Sequence, residues 1–272
     1  MTPDFNVFDY AYGFDRNLQN GDRFARLTTC RFYPTGLCPE LKEVEINEDL
    51  LKSKTRFCNF MYSHAYGFRD EIFYKLSEYK KVESIGKHLN NTKAPNTRYN
   101  KDWSRLSIEA RVSYKFSIAA ENASFPGYTS EKLLYCLEAM TVPIYWGDPS
   151  IAKEFNTKRF INVHDYDSLD AVLERVKEID NDDELFLSIL REPWHTPEQL
   201  EYIKEQDAAY DKWVLNIFQQ DKDKARRAPI GTYPDMYRRW FFERYHKTIK
   251  QKLIGFAIKM RGIVWKVIGK GK

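Results

Sequence analysis

At 272 residues, 43% of them apolar and with 18 tyrosines and 18 phenylalanines, the chain has material for one domain plus part of another and is too apolar to be disordered. Its net charge of +4 hides an asymmetry. Eight of its 43 lysines and arginines lie in 247–272, a stretch with no acid, so the 39 acids outnumber the bases elsewhere and a uniformly basic nucleic-acid domain is disfavoured. The four cysteines, Cys30, Cys38, Cys58 and Cys136, have neither CxxC nor metal spacing and read as packed, reduced thiols. No uncharged run is long enough to span a bilayer, and Met1-Thr-Pro-Asp-Phe does not open a signal peptide.

In chain order, Phe5 to Phe14 and Arg23 to Phe32 read as two strands, followed by a loop from Pro34 to Pro39. Phe57 to Tyr62 is an apolar, aromatic strand. Phe68-Arg69-Asp70 then leads a helix with Ile72, Phe73, Leu76 and Tyr79 on one face. Arg69, near that helix's start, can fork onto a diphosphate or pair with Asp70 and Glu71 at the surface. Residues 86–111 are polar and loop-like to about Asn100, with Lys87 and Arg98 as secondary candidates.

The stretch 114–150 is the most informative. Phe116 to Ala120 is a short run suited to a strand buried on both faces. Pro126-Gly127 punctuates a loop, and Thr129 or Ser130 can cap a helix carrying Leu133, Leu134, Leu137 and Met140. Val142 to Trp146 is the next strand, stopped by Gly147-Asp148-Pro149. A strand, a crossover helix and a second strand predict a parallel α/β sheet. Its binding site belongs at the carboxyl ends of the strands, where Asn122, Tyr128, Glu131 and Lys132 converge. A lysine in a helix's first turn is unfavourable by a few tenths of a kcal/mol unless a bound anion reverses the sign. Equally, Glu131 and Lys132 could fringe a solvated helix end.

Phe160 to Val163 reads as a strand, and Asp167 or Ser168 caps a helix with Leu169, Val172, Leu173 and Val176. His164-Asp165 comes with no nucleophile, so His164 reads as a structural or nucleotide-supporting residue. Asp180, Asp182, Asp183 and Glu184 lack a metal-loop pattern and read as a solvated turn. A long amphipathic helix starts at Pro197, with Leu200, Ile203, Ala208, Trp213 and Phe218 for packing, and Ala225 to Gly231 is a linker. In the tail, Lys252, Lys259 and Lys266 share one face, opposite Leu253, Met260, Val264 and Val267. Such a helix lies on an anionic membrane surface or docks on the protein body. Nucleic acid ranks third, because the aromatics do not interleave with the bases.

Glu121-Asn122, Gly127-Tyr128-Thr129, Glu131-Lys132 and Val142 to Gly147 together resemble the donor-binding motif of the α-1,3/4-fucosyltransferase family, glycosyltransferase family 10, in its Helicobacter-like bacterial branch. The similarity continues through Pro149 to Lys153, Phe155-Asn156, Lys158, Phe160 and Asn162 to Asp165. Upstream it takes in Phe57 to Phe60, Ser63, Arg69, Leu76, Tyr79, Val82 and Gly86. The resemblance implies an α/β fold of GT-B type. Residues 1–54 would be a remnant of an amino-terminal acceptor-side domain, 55–196 a Rossmann-like domain binding a GDP-sugar, 197–232 a terminal helix and linker, and 233–272 a basic amphipathic tail.

The resemblance also implies a chemistry: inverting transfer of L-fucose from GDP-fucose to a hydroxyl of an N-acetyllactosamine-type glycan acceptor on surface polysaccharide or lipopolysaccharide. Arg69 and Lys132 would hold the diphosphate, while Asn122, Tyr128 and Glu131 position nucleotide and fucose. No cofactor and no metal are expected, since an Asp-x-Asp triad is missing. The family's general base belongs to a Gly-Glu-Asn-like motif upstream of where Met1 stands, so no catalytic residue is assigned within these residues. A GDP-sugar-binding fragment without turnover is the alternative. The tail would place the protein in the cytoplasm, peripherally on the inner face of the membrane.

Overall fold

The computed structural model describes residues 8–17, 22–33, 35–92, 100–228 and 236. The chain divides into two compact units, residues 12–215 and residues 1–11 with 216–272. The basic tail therefore lies outside the described residues apart from Met236, as does Arg98.

The first unit is built on five parallel strands: β3 (Arg56–Phe60), β4 (Val82–Ser84), β5 (Tyr114–Ala120), β6 (Val142–Trp146) and β7 (Ile161–Asn162), numbered after a two-stranded pair, β1 (Ala11–Gly13) and β2 (Phe24–Arg26). The large sheet runs in the order β4-β3-β5-β6-β7. Consecutive strands pair in parallel, Phe116 opposite Val142 and Ile118 opposite Ile144. Alternate residues of a strand face opposite ways. Phe116, Ile118 and Ile144 enter one core with α3 (Gly67–Ser77), α6 (Leu169–Asn181) and α7 (Asp183–Arg191). Ala119 and Tyr145 enter the other, with α4 (Trp103–Glu109) and α5 (Glu131–Glu138). Helices on both faces explain why β5 is mostly apolar and buried throughout except at Lys115, which is half-buried.

The end of α5 is unusual. Thr141 N–H donates to Cys136 O at 3.2 Å and Met140 N–H to Leu137 O at 3.1 Å. These two bonds make the Schellman closure, whose left-handed residue is normally glycine; here Met140 holds it at φ +54°. Two buried cations finish the job without carboxylates. Lys54 Nζ donates to Val112 O at 2.6 Å and Ala139 O at 3.1 Å, and Arg159 Nη1 to Thr141 O at 3.0 Å. Positive charge at a helix carboxyl end is favourable, but burial and the neighbouring Arg159 push the Lys54 ammonium down to about 7. Between that value and an unfolded lysine near 10.4, the unfolded chain binds more protons, so this group's contribution to stability rises with pH. The stability of the protein relative to its Lys54→Met variant is therefore expected to increase from pH 7 to pH 10, as read by chemical denaturation of both at each pH. A flat difference would show that Lys54 is not held in this way.

Several elements differ from the sequence-based expectation. The stretch expected as one strand from Arg23 to Phe32 contains only the three residues of β2 before a helical turn, α1 (Thr29–Phe32). Of the strand expected from Phe5 to Phe14, residues 8–14 are described, and only the three residues of β1 are strand. Within 86–111, expected to be loop-like to about Asn100, α4 begins just after that point, at Trp103. Asp180 is no solvated turn residue: it is buried, and its carboxylate takes Lys80 at 2.5 Å, Lys115 at 3.3 Å and Tyr79 at 3.2 Å. The long helix is present as α8 (Pro197–Gln219), following α2 (Glu48–Ser53) and the helices above, but of its five expected packing residues only Ile203 is buried. Its docking onto residues 12–33 is largely polar instead, through Asp207 to Thr28, Asp211 to Arg31 and Trp213 to Asp22.

Candidate active site

With strands in the spatial order second, first, third, fourth, fifth, chain connections leave the sheet in opposite directions between β3 and β5. A crevice opens at that switch point, at the carboxyl ends of the strands. A cavity of about 440 Å³ occupies it. Three strand ends supply part of the lining: Met61 to His64 after β3, Ile85 to Lys87 after β4 and Asn122 after β5, with Glu131, Lys132 and Tyr135 from α5. Gly86 makes the close approach possible. A Cβ there would lie 2.3 Å from Tyr62 O and 2.4 Å from Tyr62 N. Gly86→Ala is accordingly expected to push these two strand ends apart, lowering stability by about 1–3 kcal/mol in a thermal melt.

Arg69 enters the cavity from the first turn of α3 and is only 3% exposed. Its guanidinium lies 3.9 Å from the Tyr62 ring centroid and 4.7 Å from that of Tyr66. Nη2 donates to Asn122 Oδ1 at 2.7 Å, whereas Nε is buried without a partner. Among the described residues no carboxylate lies within ion-pair distance of Arg69, so the alternative of a surface pair with Asp70 and Glu71 is not realised. Asp70 bonds His88 instead, at 2.8 Å. A buried guanidinium held by two aromatic faces and an amide is compensated only in part, which suits it to an incoming anion. Tyr62 itself is a strut: its hydroxyl accepts from Ala120 N–H at 2.7 Å and lies 2.9 Å from Ile118 O, joining the ends of β3 and β5.

Lys132 is held differently. Its Nζ lies 2.8 Å from Glu121 Oε2 and 3.8 Å from Glu131 Oε1. Glu121 is fully buried, and its Oε1 also accepts from Ser130 N–H at 2.8 Å and Ser130 Oγ at 2.7 Å. Ser130 occupies the N-cap position of α5, as the sequence suggested, but its hydroxyl serves Glu121 and caps no helical N–H. The helix mouth that sequence reasoning reserved for a phosphate thus already carries a carboxylate. Burial raises the Glu121 carboxyl, and Lys132 and Ser130 pull the other way. Burial likewise opposes the charge on Lys132, but Glu121 and then Glu131 outweigh it, and the ammonium stays above its ordinary range. Gly147 is needed beside this pair, since a Cβ there would meet Glu121 Cγ at 2.6 Å.

The structure therefore brings Arg69, Asn122, Glu131 and Lys132 into one cavity. Tyr128 is not among the lining residues. Its ring stacks on Phe125 at 4.6 Å in the 123–128 loop, which Gly127 at φ +91° presses against Phe14 O. His164 lies 3.2 Å from Gly147 O and stacks on Trp146, while Asp165 bonds Asn162, so the two form no dyad. Sequence reasoning missed Tyr62, Tyr66, Trp103, Ser107, Arg111 and Tyr135. Tyr66, three residues before Arg69, was the available hint; Tyr62, seven residues before it, is brought in by the fold. Cys38, Glu40 and Glu109 form the one three-ligand group found among the described residues, and Arg105 already pairs with both carboxylates.

In open α/β sheets a crevice at the switch point is where ligands bind, and here that crevice is cationic. The family model described as glycosyltransferase family 10 (fucosyltransferase), C-terminal part, matches residues 51–228, and the chain belongs to this family. The α-(1,3)-fucosyltransferase FucT of Helicobacter pylori is 30% identical over 222 residues, covering 70% of this chain and 45% of that protein. A protein of Acanthamoeba polyphaga mimivirus, provisionally named as a fucosyltransferase, is 40% identical over 149 residues, 53% of this chain and 25% of that one. A solved α1,3-fucosyltransferase with GDP-fucose shares the fold, with a TM-score of 0.62 and 24% identity over 82% of this chain and 73% of that one. The chain spans less than half the length of the two curated relatives.

Proposed function

We propose that the cavity binds GDP-fucose and that the chain takes part in transferring L-fucose to a hydroxyl of an N-acetyllactosamine-type glycan with inversion at the anomeric carbon. The observation that carries this reading is the meeting of Arg69, Asn122 and Lys132 at one cavity. Departure of GDP places negative charge on the β-phosphate, and preorganised cations aimed at developing charge are the largest electrostatic aid available to such a step. Arg69 offers a guanidinium without a carboxylate partner, and Lys132 an ammonium held in place by Glu121. Glu131 and Asn122 are placed to take the sugar hydroxyls of ribose or fucose. Attack on the anomeric carbon also needs a base to receive the acceptor's proton, and none is assigned among these residues.

One observation favours a second reading, GDP-sugar binding without turnover. Glu131, the one carboxylate lining the cavity among the described residues, sits 3.8 Å from Lys132 and is thereby partly neutralised. Incubation with radiolabelled GDP-fucose and an N-acetyllactosamine oligosaccharide separates the two. Labelled trisaccharide supports transfer. Saturable donor binding with no labelled product supports binding alone, and neither result would remove the fucosyl-donor reading.

Peripheral association with an anionic membrane on the cytoplasmic side, through residues 233–272, is part of the same proposal and rests on the charge and apolar pattern of that tail. No described helix is long and apolar enough to cross a membrane. Sedimentation with phosphatidylglycerol vesicles should be lost on deleting 233–272. Undiminished sedimentation of the deletion variant would contradict the assignment.

A further inference from the structure

The cavity contains a second guanidinium. Arg111 follows α4 and lines the cavity with Trp103, Ser107 and Tyr135. It is 6% exposed, and none of the described carboxylates pairs with it. Nη1 donates to the Ser107 carbonyl, the Cys136 thiol lies beside the group, and Nε is buried with no partner. A guanidinium taken out of water without a carboxylate is costly unless something supplies acceptors. The helix carbonyl supplies one, fewer than the five N–H donors of the fork can use.

Arg111 comes from just after α4, whereas Arg69 and Lys132 come from α3 and α5. Tyr135 is three residues beyond Lys132, about 5 Å further along α5. The Tyr135 ring meets Trp103 edge-on at 5.9 Å and 61°. Arg111 lines the cavity together with that pair, tied to the Ser107 carbonyl and beside Cys136. Two aromatic rings beside an acceptor-seeking fork match a flat, carbonyl-bearing heterocycle better than a second phosphate. Among nucleobases, guanine presents two adjacent acceptors, O6 and N7, whereas adenine offers N7 beside an amino donor.

We infer that Arg111 is a specificity-determining residue that reads the O6/N7 edge of a guanine base in this cavity. This rests on the donor-site reading above. The test is calorimetric titration of the full chain with GDP, inosine diphosphate, ADP, 7-deaza-GDP and inorganic pyrophosphate. Wild type should bind GDP and inosine diphosphate alike, and ADP and 7-deaza-GDP roughly ten- to a hundred-fold more weakly. Arg111→Met and Arg111→Gln should bring the GDP to ADP ratio close to one while leaving pyrophosphate affinity unchanged. Equal losses for every nucleotide and for pyrophosphate would overturn the proposal by making Arg111 a phosphate ligand. An unchanged GDP to ADP ratio in folded variants would also overturn it. Wild-type indifference to base with pyrophosphate still bound would sink the base reading and spare the donor site. Failure of all five ligands would instead remove the donor-site reading, and this inference with it. Should both variants fail to fold, the 7-deaza-GDP result on wild type decides: no loss of affinity rules out the N7 contact.

Discussion

Replacing Arg69 by methionine is expected to weaken GDP binding roughly ten- to a hundred-fold, the worth of a charge-assisted hydrogen bond, while leaving the unliganded protein no less stable. The two effects separate because of how Arg69 is held. It stands over Tyr62 and Tyr66, with Asn122 as its one polar contact and Nε unsatisfied. Methionine keeps the stem packed on those rings and removes a charge that no carboxylate balances. Lysine would keep the charge and lose both the planar stack and the fork, so Arg69→Lys should fall nearer to methionine than to wild type. Calorimetric titration with GDP and a thermal melt of each variant check the pair. A large drop in melting temperature with unchanged GDP affinity would make Arg69 a structural residue.

Glu121→Gln should lower stability by about 3 kcal/mol, the lower end of the range for breaking a buried ion pair, because Lys132 keeps 17% side-chain exposure. The carboxylate is the shared acceptor of Ser130 N–H, Ser130 Oγ and Lys132 Nζ, and an amide can serve only part of that set. Glu121→Leu with Lys132→Met should recover much of the loss, since removing both charges leaves neither buried alone. The same logic predicts that GDP raises the melting temperature of Glu121→Gln by more than it raises wild type. In the variant, the diphosphate becomes the counter-ion that Lys132 lacks. Equal shifts would mean that Lys132 does not meet the diphosphate.

Local signals carried the parallel sheet. Continuous apolar runs at Phe116 to Ala120 and Val142 to Trp146, joined by a helix with leucines at helical spacing, leave little choice of topology, and β5, α5 and β6 stand where they point. The switch-point rule then selects the strand ends, and Arg69, Asn122, Glu131 and Lys132 do share a cavity. Pairing partners were not legible. Whether Lys132 meets a solvent ion, a phosphate or Glu121 depends on a carboxylate eleven residues earlier being folded back under the helix mouth. Arg111 escaped notice because its role depends on α4 and α5 lying side by side, a contact no local pattern encodes. Asp180 misled for a related reason: an acidic run looks solvated until Lys80 and Lys115 arrive from distant elements.

Joint binding of a diphosphate by Arg69 and Lys132 is tested most directly by a crystal of the full chain grown with GDP. The expected density places the β-phosphate within hydrogen-bond distance of the Arg69 guanidinium and Lys132 Nζ, with the base directed toward Trp103 and Tyr135. GDP bound elsewhere, or in the cavity with its phosphates away from both cations, would contradict it.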